Sequence, residues 1–212
     1  FEKNKHFLGF DSLHRSLITA VKEAVDNALD ACEEARILPD IKISISKADP
    51  KRDVIELEVE DNGPGIPRDS IAKVFGQLLF GSRFHAIRQS RGQQGIGITG
   101  VVMYSQLTTG KPTHVRSKIA SETTAVEMEL GLDTKSNKAI KSKEQRVPWV
   151  LEDGTEKASG LYVRCRMKAK FQRGKQSVWQ YLRMTSIVNP HASITFVDPD
   201  GETTHWPRVT ER

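Results

Sequence analysis

Two polar residues on one predicted helix have the types and the spacing that could support chemistry. Glu23 and Asn27 are four residues apart, so they project from the same face of the helix. A side-chain amide competes for backbone hydrogen bonds inside a helix, which favours a role for Asn27 outside it. Taken alone, the pair fits the solvated edge of an amphipathic helix better than it fits an active site.

The helix that carries this pair is predicted to run from residue 13 to about residue 35. Asp11 and Ser12 are suitable N-cap residues, and Pro39 prevents the helix from continuing. One apolar stripe recurs at helical spacing and should pack into the core, so the polar pair is expected beside the core and not in it. The stripe comprises Leu17, Val21, Ala24, Val25, Ala28 and Cys32.

A carboxylate begins the second candidate group. Asp61 directly follows a predicted strand and opens the turn Asp61-Asn62-Gly63-Pro64-Gly65. In a dry pocket this carboxylate could accept a hydrogen bond from the exocyclic amine of adenine, a charge-assisted bond worth roughly 1.5–3 kcal/mol. The carbonyl that guanine carries at that position would be repelled. The alternative is a plain turn, in which the same residue types are common.

A run of glycines forms the third candidate group. Gly92, Gly95 and Gly97 directly precede a predicted helix that begins at Ile98. Free backbone N–H groups and the positive end of a helix dipole suit phosphate oxygens. The run is not a P-loop, because no Gly-Lys-Ser or Gly-Lys-Thr follows, and no strand leads into it as in a dinucleotide fingerprint. A long mobile loop over residues 76–97 is the alternative.

The rest of the pattern predicts strands and helices that do not alternate regularly. Apolar alternation predicts strands at residues 41–46, 55–59, 115–119, 125–130, 161–167, 193–197 and 205–206. Further helices are predicted at residues 70–75, 98–104 and 176–188. The first two strands should form a hairpin, and the strand at 161–167 should have a basic outer face. We therefore expect an α+β fold, with helices stacked on one face of a mixed, mostly antiparallel sheet.

The composition is typical of a folded globular protein. The chain has 212 residues, of which 37% are hydrophobic and 28% charged, and a net charge of +5. Cys32 and Cys165 lack a metal-ligand spacing and are expected to be reduced packing residues. The polar, lysine-rich residues 133–159 should form an exposed excursion. The start at Phe1 and the charged residues 208–212 suggest a piece of a longer protein.

Together the three groups resemble the ATP-site motifs of the GHKL superfamily, which includes gyrase, heat-shock chaperones, histidine kinases and MutL-type repair proteins. The matching parts are Glu23 and Asn27 within residues 22–31, the turn at residues 61–65 and the later glycine run. Within that superfamily the sequence is similar to the B subunits of archaeal-type DNA topoisomerase VI. This closer match is carried by residues 8–12, 81–85, 89–98, 104–112 and 187–192.

The resemblance implies a two-layer α/β sandwich, the GHKL or Bergerat fold, that binds ATP and Mg²⁺. It implies that Glu23 is the general base, that Asn27 is a ligand of Mg²⁺ and that Asp61 recognises adenine. Gly63 and Gly65 would let the backbone approach the nucleotide. A lid over the phosphates at residues 77–97 would continue to the start of the following helix. Its binding residues would be Ser82, Arg83, Gly92, Gln93, Gln94, Gly95, Ile96, Gly97 and Ile98.

The same resemblance implies the partners. In this family ATP binding closes two B subunits into a gate, which is coupled to cleavage of double-stranded DNA by a separate topoisomerase A subunit. The chain should then be a single ATP-binding domain over residues 1–212, located in the cytoplasm at the nucleoid and not in a membrane. The helix-two-turn-helix and transducer domains of relatives would follow Arg212. We therefore expect this chain to bind Mg-ATP, to hydrolyse it slowly and to stay largely monomeric.

One departure from the family pattern and two alternative functions remain. Relatives usually have a Gly-Thr pair where this sequence has Gly160 and Leu161, so we expect looser adenine recognition unless the nearby Thr155 substitutes. A histidine-kinase-type ATP domain shares the ATP motifs. A nucleotide-gated clamp with little hydrolysis would also fit them. The sequence leaves open whether the parent assembly is a conventional heterotetramer or a fused or reduced relative.

Overall fold

A computed structural model describes residues 12–76, 98–133, 135–136, 138–175 and 177–211. The predicted lid at residues 77–97 lies outside the described residues, and so do Ser82, Arg83 and the glycine run up to Gly97. The predicted N-cap residue Asp11 also lies outside them. The described part of the chain contains no helix that is both long enough and apolar enough to cross a membrane.

The described helices and strands follow the predicted order closely. The α-helices are α1 (Leu13–Glu34), α2 (Ile71–Phe75), α3 (Ile98–Thr109) and α4 (Val178–Val188). The first four strands are β1 (Asp40–Asp49), β2 (Val54–Glu60), β3 (Thr113–Lys118) and β4 (Ala125–Asp133). The others are β5 (Lys138–Val147), β6 (Gly160–Lys168), β7 (Ser193–Val197) and β8 (Thr203–Trp206). Short 3₁₀ turns occupy Pro50–Arg52 and Arg68–Ser70.

Helix α1 begins and ends close to the predicted residues. The Ser12 side chain accepts a hydrogen bond from the Arg15 amide at 3.2 Å, which satisfies one of the free N–H groups of the first turn. The helix ends at Glu34, and Arg36 then adopts a φ of 57°, which turns the chain away from the helix axis. Every member of the predicted apolar stripe is buried, including the free thiol of Cys32.

The described strands form an eight-stranded sheet in the order β5-β4-β3-β6-β2-β1-β7-β8. Within this sheet β1 and β7 pair in parallel, and the other neighbouring strands pair antiparallel. The predicted hairpin of β1 and β2 is confirmed, with Ile43 opposite Val59. The mixed, mostly antiparallel sheet is therefore confirmed.

Strand β5 falls within the polar segment 133–159, where the sequence did not predict a strand. It pairs with β4 at the edge of the sheet, and nearly all of its side chains are exposed or half-buried on both faces. Its register shifts between Glu127 and Glu129 of β4, where Lys143 has a φ of 53°, so the strand carries a β-bulge. The side chains of β5 have the expected exposure, but its backbone forms a paired strand that is interrupted by the bulge, and Trp149 and Lys157 later in the segment are buried.

The two faces of the sheet differ sharply in polarity. The apolar face packs against α1, α3 and α4 in one continuous core. Its central side chains are Ile43, Ile45, Leu57, Val115, Met128, Val163, Met167 and Phe196. The opposite face is charged, and the predicted basic face of β6 is confirmed there. Arg164 and Arg166 lie 4.0 and 3.2 Å from Glu56 of β2, so part of this positive charge is compensated.

Candidate functional site

Asp61 lies at the carboxyl end of β2, where the backbone leaves the sheet. Its side chain is 5% exposed, and its Oδ1 atom accepts hydrogen bonds from the Gly63 amide at 2.8 Å and the Leu161 amide at 3.2 Å. The Asp61 amide in turn donates to the Leu161 carbonyl at 2.9 Å. The carboxylate is therefore fixed from its own turn and from the neighbouring strand β6.

Burial and neighbouring groups shift the pKa of this carboxylate in opposite directions. Burial raises the pKa of Asp61 from 3.8 to about 6, and the hydrogen bonds from Gly63 and Leu161 limit that rise. The Lys157 ammonium also lowers this pKa, whereas the Glu60 carboxylate raises it. Asp61 is therefore mainly ionised at neutral pH and becomes protonated in mildly acidic solution.

The glycines around Asp61 allow close contacts between main chains. Gly65 has a φ of 73°, and a Cβ atom there would lie 2.2 Å from the Lys118 carbonyl oxygen. A Cβ atom on Gly160 would lie 2.3 Å from the Asp61 carbonyl oxygen. Such distances are impossible for real atoms, so the turn can approach β3 and β6 only because these positions have no side chain.

Two polar side chains that the sequence analysis did not single out hold the turn in place. The Ser117 hydroxyl accepts a hydrogen bond from the Ile66 amide and donates one to the Ile66 carbonyl, each at 2.7 Å. The Asn62 side chain donates to the Leu38 carbonyl at 3.0 Å and accepts from the Asp40 amide at 2.8 Å. These bonds attach the turn to β3 on one side and to the segment after α1 on the other.

Helix α1 runs beside the same turn. A Cβ atom on Gly63 would lie 3.7 Å from the Ala31 Cβ atom, so the turn packs against the last part of α1. Asn27 and Glu23 precede Ala31 by four and eight residues on the same face, at intervals of about 6 Å along the axis. The structure therefore places the Asp61 turn at one end of a row that continues to Asn27 and then to Glu23.

The environments of these two helix residues differ. Asn27 is exposed, as expected for a residue beside the core. Glu23 is only 4% exposed, so the prediction that it lies beside the core is wrong. Burial raises the pKa of the Tyr181 hydroxyl of α4, and the charges of Asp26 and Glu23 raise it further, so Glu23 lies near the surface where α4 packs against α1. A buried carboxylate and an exposed amide thus lie one helical turn apart.

Comparison with known sequences identifies the family to which the chain belongs. The sequence model of the family described as Histidine kinase-, DNA gyrase B-, and HSP90-like ATPase matches residues 13–134, which is more than half of the chain. The chain belongs to this ATPase family. The match includes α1, the Asp61 turn and the segment that leads into α3.

Among named relatives of this ATPase family, the B subunit of type 2 DNA topoisomerase 6 from Archaeoglobus fulgidus is 56% identical over 214 residues. That alignment covers 100% of this chain and 34% of the relative. The chain therefore spans about a third of the length of the curated relatives it matches.

Solved structures of ATPase domains share the fold at low sequence identity. The ATPase domain of Aquifex aeolicus MutL, complexed with ADP, matches with a TM-score of 0.55 and 20% identity over 92% of this chain and 64% of that chain. The ATPase and transducer domains of DNA topoisomerase II from Balamuthia mandrillaris match with a TM-score of 0.54 and 15% identity, over 90% and 48% of the two chains. These likenesses confirm the α+β fold of the ATPase family.

At the position after Gly160, this ATPase-family domain contacts Asp61 through a backbone amide and not through a side chain. Strand β6 begins at Gly160, so Leu161 occupies the position at which the family resemblance led us to expect threonine. Its amide donates to Asp61, as described above, whereas its side chain contacts the apolar core. Thr155 does not substitute, because it is exposed and its hydroxyl donates to Asp153 at 2.6 Å.

The described residues of the ATPase domain are compatible with Mg²⁺ that is shared with a ligand. They contain no group of three or more His, Cys, Asp or Glu side chains that could hold a metal ion by themselves. Mg²⁺ usually takes one or two protein oxygens and completes its octahedron with phosphates and waters. The side-chain oxygen of the exposed Asn27 suits that role. A protein cage is not required.

The helices on either side of the predicted lid contact each other. Helix α3 begins at Ile98, which is buried, and the Thr99 hydroxyl donates to the Val74 carbonyl of α2 at 3.3 Å. Further along α3, the Ser105 hydroxyl donates to the Arg166 carbonyl of β6 at 2.5 Å. The residue that follows the glycine run is therefore anchored to the folded body of the ATPase domain.

Proposed function

We propose that this chain binds ATP together with Mg²⁺ and hydrolyses it, with adenine recognised by Asp61. The observation that carries the proposal is the Asp61 carboxylate, which is buried and fixed through Oδ1 by two backbone amides. Above about pH 6 it is an acceptor without a proton to donate. It therefore favours the amine of adenine over the carbonyl of guanine.

Helix α1 supplies the other two roles in this proposal. Asn27 would hold Mg²⁺ through its side-chain oxygen, and the ion would neutralise negative charge on the phosphates. Glu23 would accept a proton from the attacking water, because a carboxylate removed from bulk solvent is a stronger base than an exposed one. Its burial at 4% exposure supports this role.

The remaining site residues belong to the same proposal. Gly63 and Gly65 would let the nucleotide approach the backbone of the turn. The lid at residues 77–97 would cover the phosphates. Its residues would be Ser82, Arg83, Gly92, Gln93, Gln94, Gly95, Ile96 and Gly97, together with Ile98 at the start of α3. Residues 1–212 would then form a single ATP-binding domain.

We further propose that the domain belongs to the B subunit of an ATP-dependent type II DNA topoisomerase. The 56% identity to a topoisomerase 6 B subunit along the whole chain supports this assignment. The partners would be a DNA-cleaving A subunit, a second B subunit that associates when ATP binds, and double-stranded DNA. The protein would act in the cytoplasm on nucleoid DNA.

The decisive experiment is a calorimetric titration with ATP and with GTP, each with and without Mg²⁺. Wild-type protein should prefer ATP, Asp61→Ala should lose that preference, and Asn27→Ala should lose the dependence on Mg²⁺. Asp69→Ala is the matched control, because the Asp69 side chain is 91% exposed. Absence of binding by wild type at millimolar nucleotide would contradict the proposal. Binding without any phosphate release would support a nucleotide-gated clamp instead.

A further inference from the structure

A short arm after β5 crosses the charged face of the sheet and ends beside Asp61. In this arm, residues 148–159, Val150 and Glu156 form a β-bridge, and the Lys157 amide donates to the Trp149 carbonyl at 2.8 Å. The Trp149 side chain is buried against the sheet, although this face is otherwise polar. The arm is therefore fixed in place by an aromatic anchor.

Lys157 is the buried cation of this arm. The residue is 8% exposed, its Nζ atom lies 3.0 Å from Glu60 Oε2 and 5.1 Å from the centre of the Trp149 ring. Lysine is almost never buried unless its charge is paired, because removing an ammonium from water is costly. The ammonium therefore has a defined position and does not sample solvent like a surface lysine.

That position is adjacent to Asp61. Glu60, the ion-pair partner of Lys157, is the last residue of β2 and immediately precedes Asp61. A Cβ atom on Gly160 would lie 2.8 Å from Lys157 Cε and 2.3 Å from the Asp61 carbonyl oxygen, so both atoms border the small space that a side chain at Gly160 would fill. The lysine side chain thus lies next to the end of β2, where Asp61 follows Glu60.

Resting on the nucleotide site proposed above, we infer that Lys157 is a positioning residue that keeps the Asp61 carboxylate negatively charged and so sets the adenine preference of the site. Lys157 and Glu60 act on the charge of Asp61 in opposite directions. From α1, the Cys32 thiol also faces Asp61, but burial raises the pKa of that thiol to about 12, so it is neutral at physiological pH. The Asp40 carboxylate of β1 further raises the pKa of the Cys32 thiol, and it is the last charged group in this set.

Loss of Lys157 would change Asp61 in two ways that add. The positive charge that lowers the Asp61 pKa would disappear, and the Glu60 charge that raises it would no longer be neutralised. Asp61 would then be protonated over a wider range of pH. A protonated carboxyl can donate a hydrogen bond to a carbonyl, so guanine would no longer be rejected.

The test measures the Asp61 charge and the nucleotide preference in parallel. Carboxyl-carbon NMR from pH 5 to 8.5 gives the Asp61 titration midpoint in the 212-residue chain, and calorimetry over the same range gives the affinities for Mg-ATP and Mg-GTP. In Lys157→Met the midpoint should rise by about one pH unit or more, and the ATP-to-GTP affinity ratio at pH 7 should fall about threefold or more. The preference should return at pH 8.5.

Two further variants separate charge from packing. Lys168→Met removes an exposed lysine from β6 and should leave both measurements unchanged. The double variant Lys157→Met with Glu60→Gln removes both charges of the pair, so its Asp61 midpoint should lie between those of wild type and Lys157→Met. A role in packing alone predicts that the double variant is no closer to wild type than the single variant.

The outcomes are distinguishable from a failure of the proposed function. If the Asp61 midpoint stays near that of wild type in folded Lys157→Met, the inference is wrong even if ATP binds. If wild type binds neither nucleotide, the proposed function fails, and the NMR midpoint still decides whether Lys157 controls the charge of Asp61. If Lys157→Met does not fold, Lys157→Gln replaces it, because the amide preserves a hydrogen bond to Glu60 and removes only the charge.

Discussion

The Leu161 amide lies 3.2 Å from Oδ1 of Asp61 and donates a hydrogen bond to it across the boundary between β6 and β2. The bond comes from the main chain, so it does not depend on which side chain residue 161 carries, unless that residue is proline. An apolar side chain can therefore occupy this position while the carboxylate stays fixed. The bond also connects the proposed adenine-binding carboxylate to the strand that follows the arm.

Asp61→Asn is expected to stabilise the fold at neutral pH. The folded-state pKa of Asp61 is raised from 3.8 to about 6, so the charged carboxylate destabilises the folded protein above that range, by at most about 3 kcal/mol. Asparagine retains the oxygen that accepts from Gly63 and Leu161. Urea unfolding should show a higher free energy of unfolding for the variant at pH 7 and a difference near zero below about pH 4.

Asp69→Asn is the control for this prediction, since the Asp69 side chain is exposed, and it should not change the free energy of unfolding at either pH. A variant at Asp61 that is less stable than wild type at pH 7 would show that the charged carboxylate gains more from its surroundings than burial costs it. The adenine preference should be lost in Asp61→Asn in either case, because an amide can donate as well as accept.

Gly65→Ala and Gly110→Ala form a matched pair that separates steric contact from backbone conformation. Both glycines have positive φ, 73° and 71°, but a Cβ atom on Gly65 meets the Lys118 carbonyl whereas one on Gly110 meets nothing within 4 Å. We expect about 1 kcal/mol of destabilisation at Gly110 and about 3 kcal/mol or more at Gly65. Equal losses in urea denaturation would contradict the close packing of the turn on β3.

Ser117→Ala should loosen the turn without removing any part of the proposed site. The Ile66 amide would lose its hydrogen-bond partner in a partly buried position, which costs roughly 1–3 kcal/mol. We expect the free energy of unfolding to fall by that amount and the affinity for Mg-ATP to fall with it. The exposed Ser142 on β5 provides the control Ser142→Ala, for which both quantities should remain at the wild-type values.

Glu23→Gln should separate binding from hydrolysis. The amide retains the size of the side chain but cannot accept a proton from water, so the rate of phosphate release should fall about 100-fold or more. The affinity for Mg-ATP should change little. The measurement is single-turnover release of labelled phosphate, because turnover of this chain is expected to be slow. Glu33→Gln, on the exposed face of α1, is the control. Undiminished release by Glu23→Gln would exclude it as the general base.

The sequence predicted elements whose apolar spacing was regular. The stripe of α1 and the alternation in β1, β2 and β6 were enough to predict those elements and the hairpin. The alternation in β6 also predicted which of its side chains face the core. Strand β5 was not predicted, because its side chains are polar on both faces and the pattern has no period of two. It forms a strand because it pairs with the preceding strand β4, and that pairing leaves no apolar alternation in its own residues.

The burial of the site residues was harder to predict than the order of the helices and strands along the chain. The helical spacing of Glu23 gives its angle around α1, but the sequence does not tell which other helix covers that angle. The Glu23 charge acts on Tyr181, so α4 is one of the elements that lie near that angle. Ser117 and Lys157 were missed for a related reason. Neither a serine in a strand nor a lysine in a lysine-rich segment is unusual by itself. Their roles depend on partners about 50 residues away for Ser117 and about 100 residues away for Lys157.

The bulged edge strand β5 has a consequence for self-association. An unpaired strand edge can template growth of a sheet by a second molecule. Along β5 the exposed lysines Lys138, Lys141 and Lys143 would bring like charges together, and the bulge at Lys143 interrupts the straight row of backbone donors and acceptors. At the other edge β8 is only four residues long. Pairing between the strand edges of two molecules is thereby disfavoured at both edges of the sheet that the described residues form, so concentrated protein should resist forming fibres.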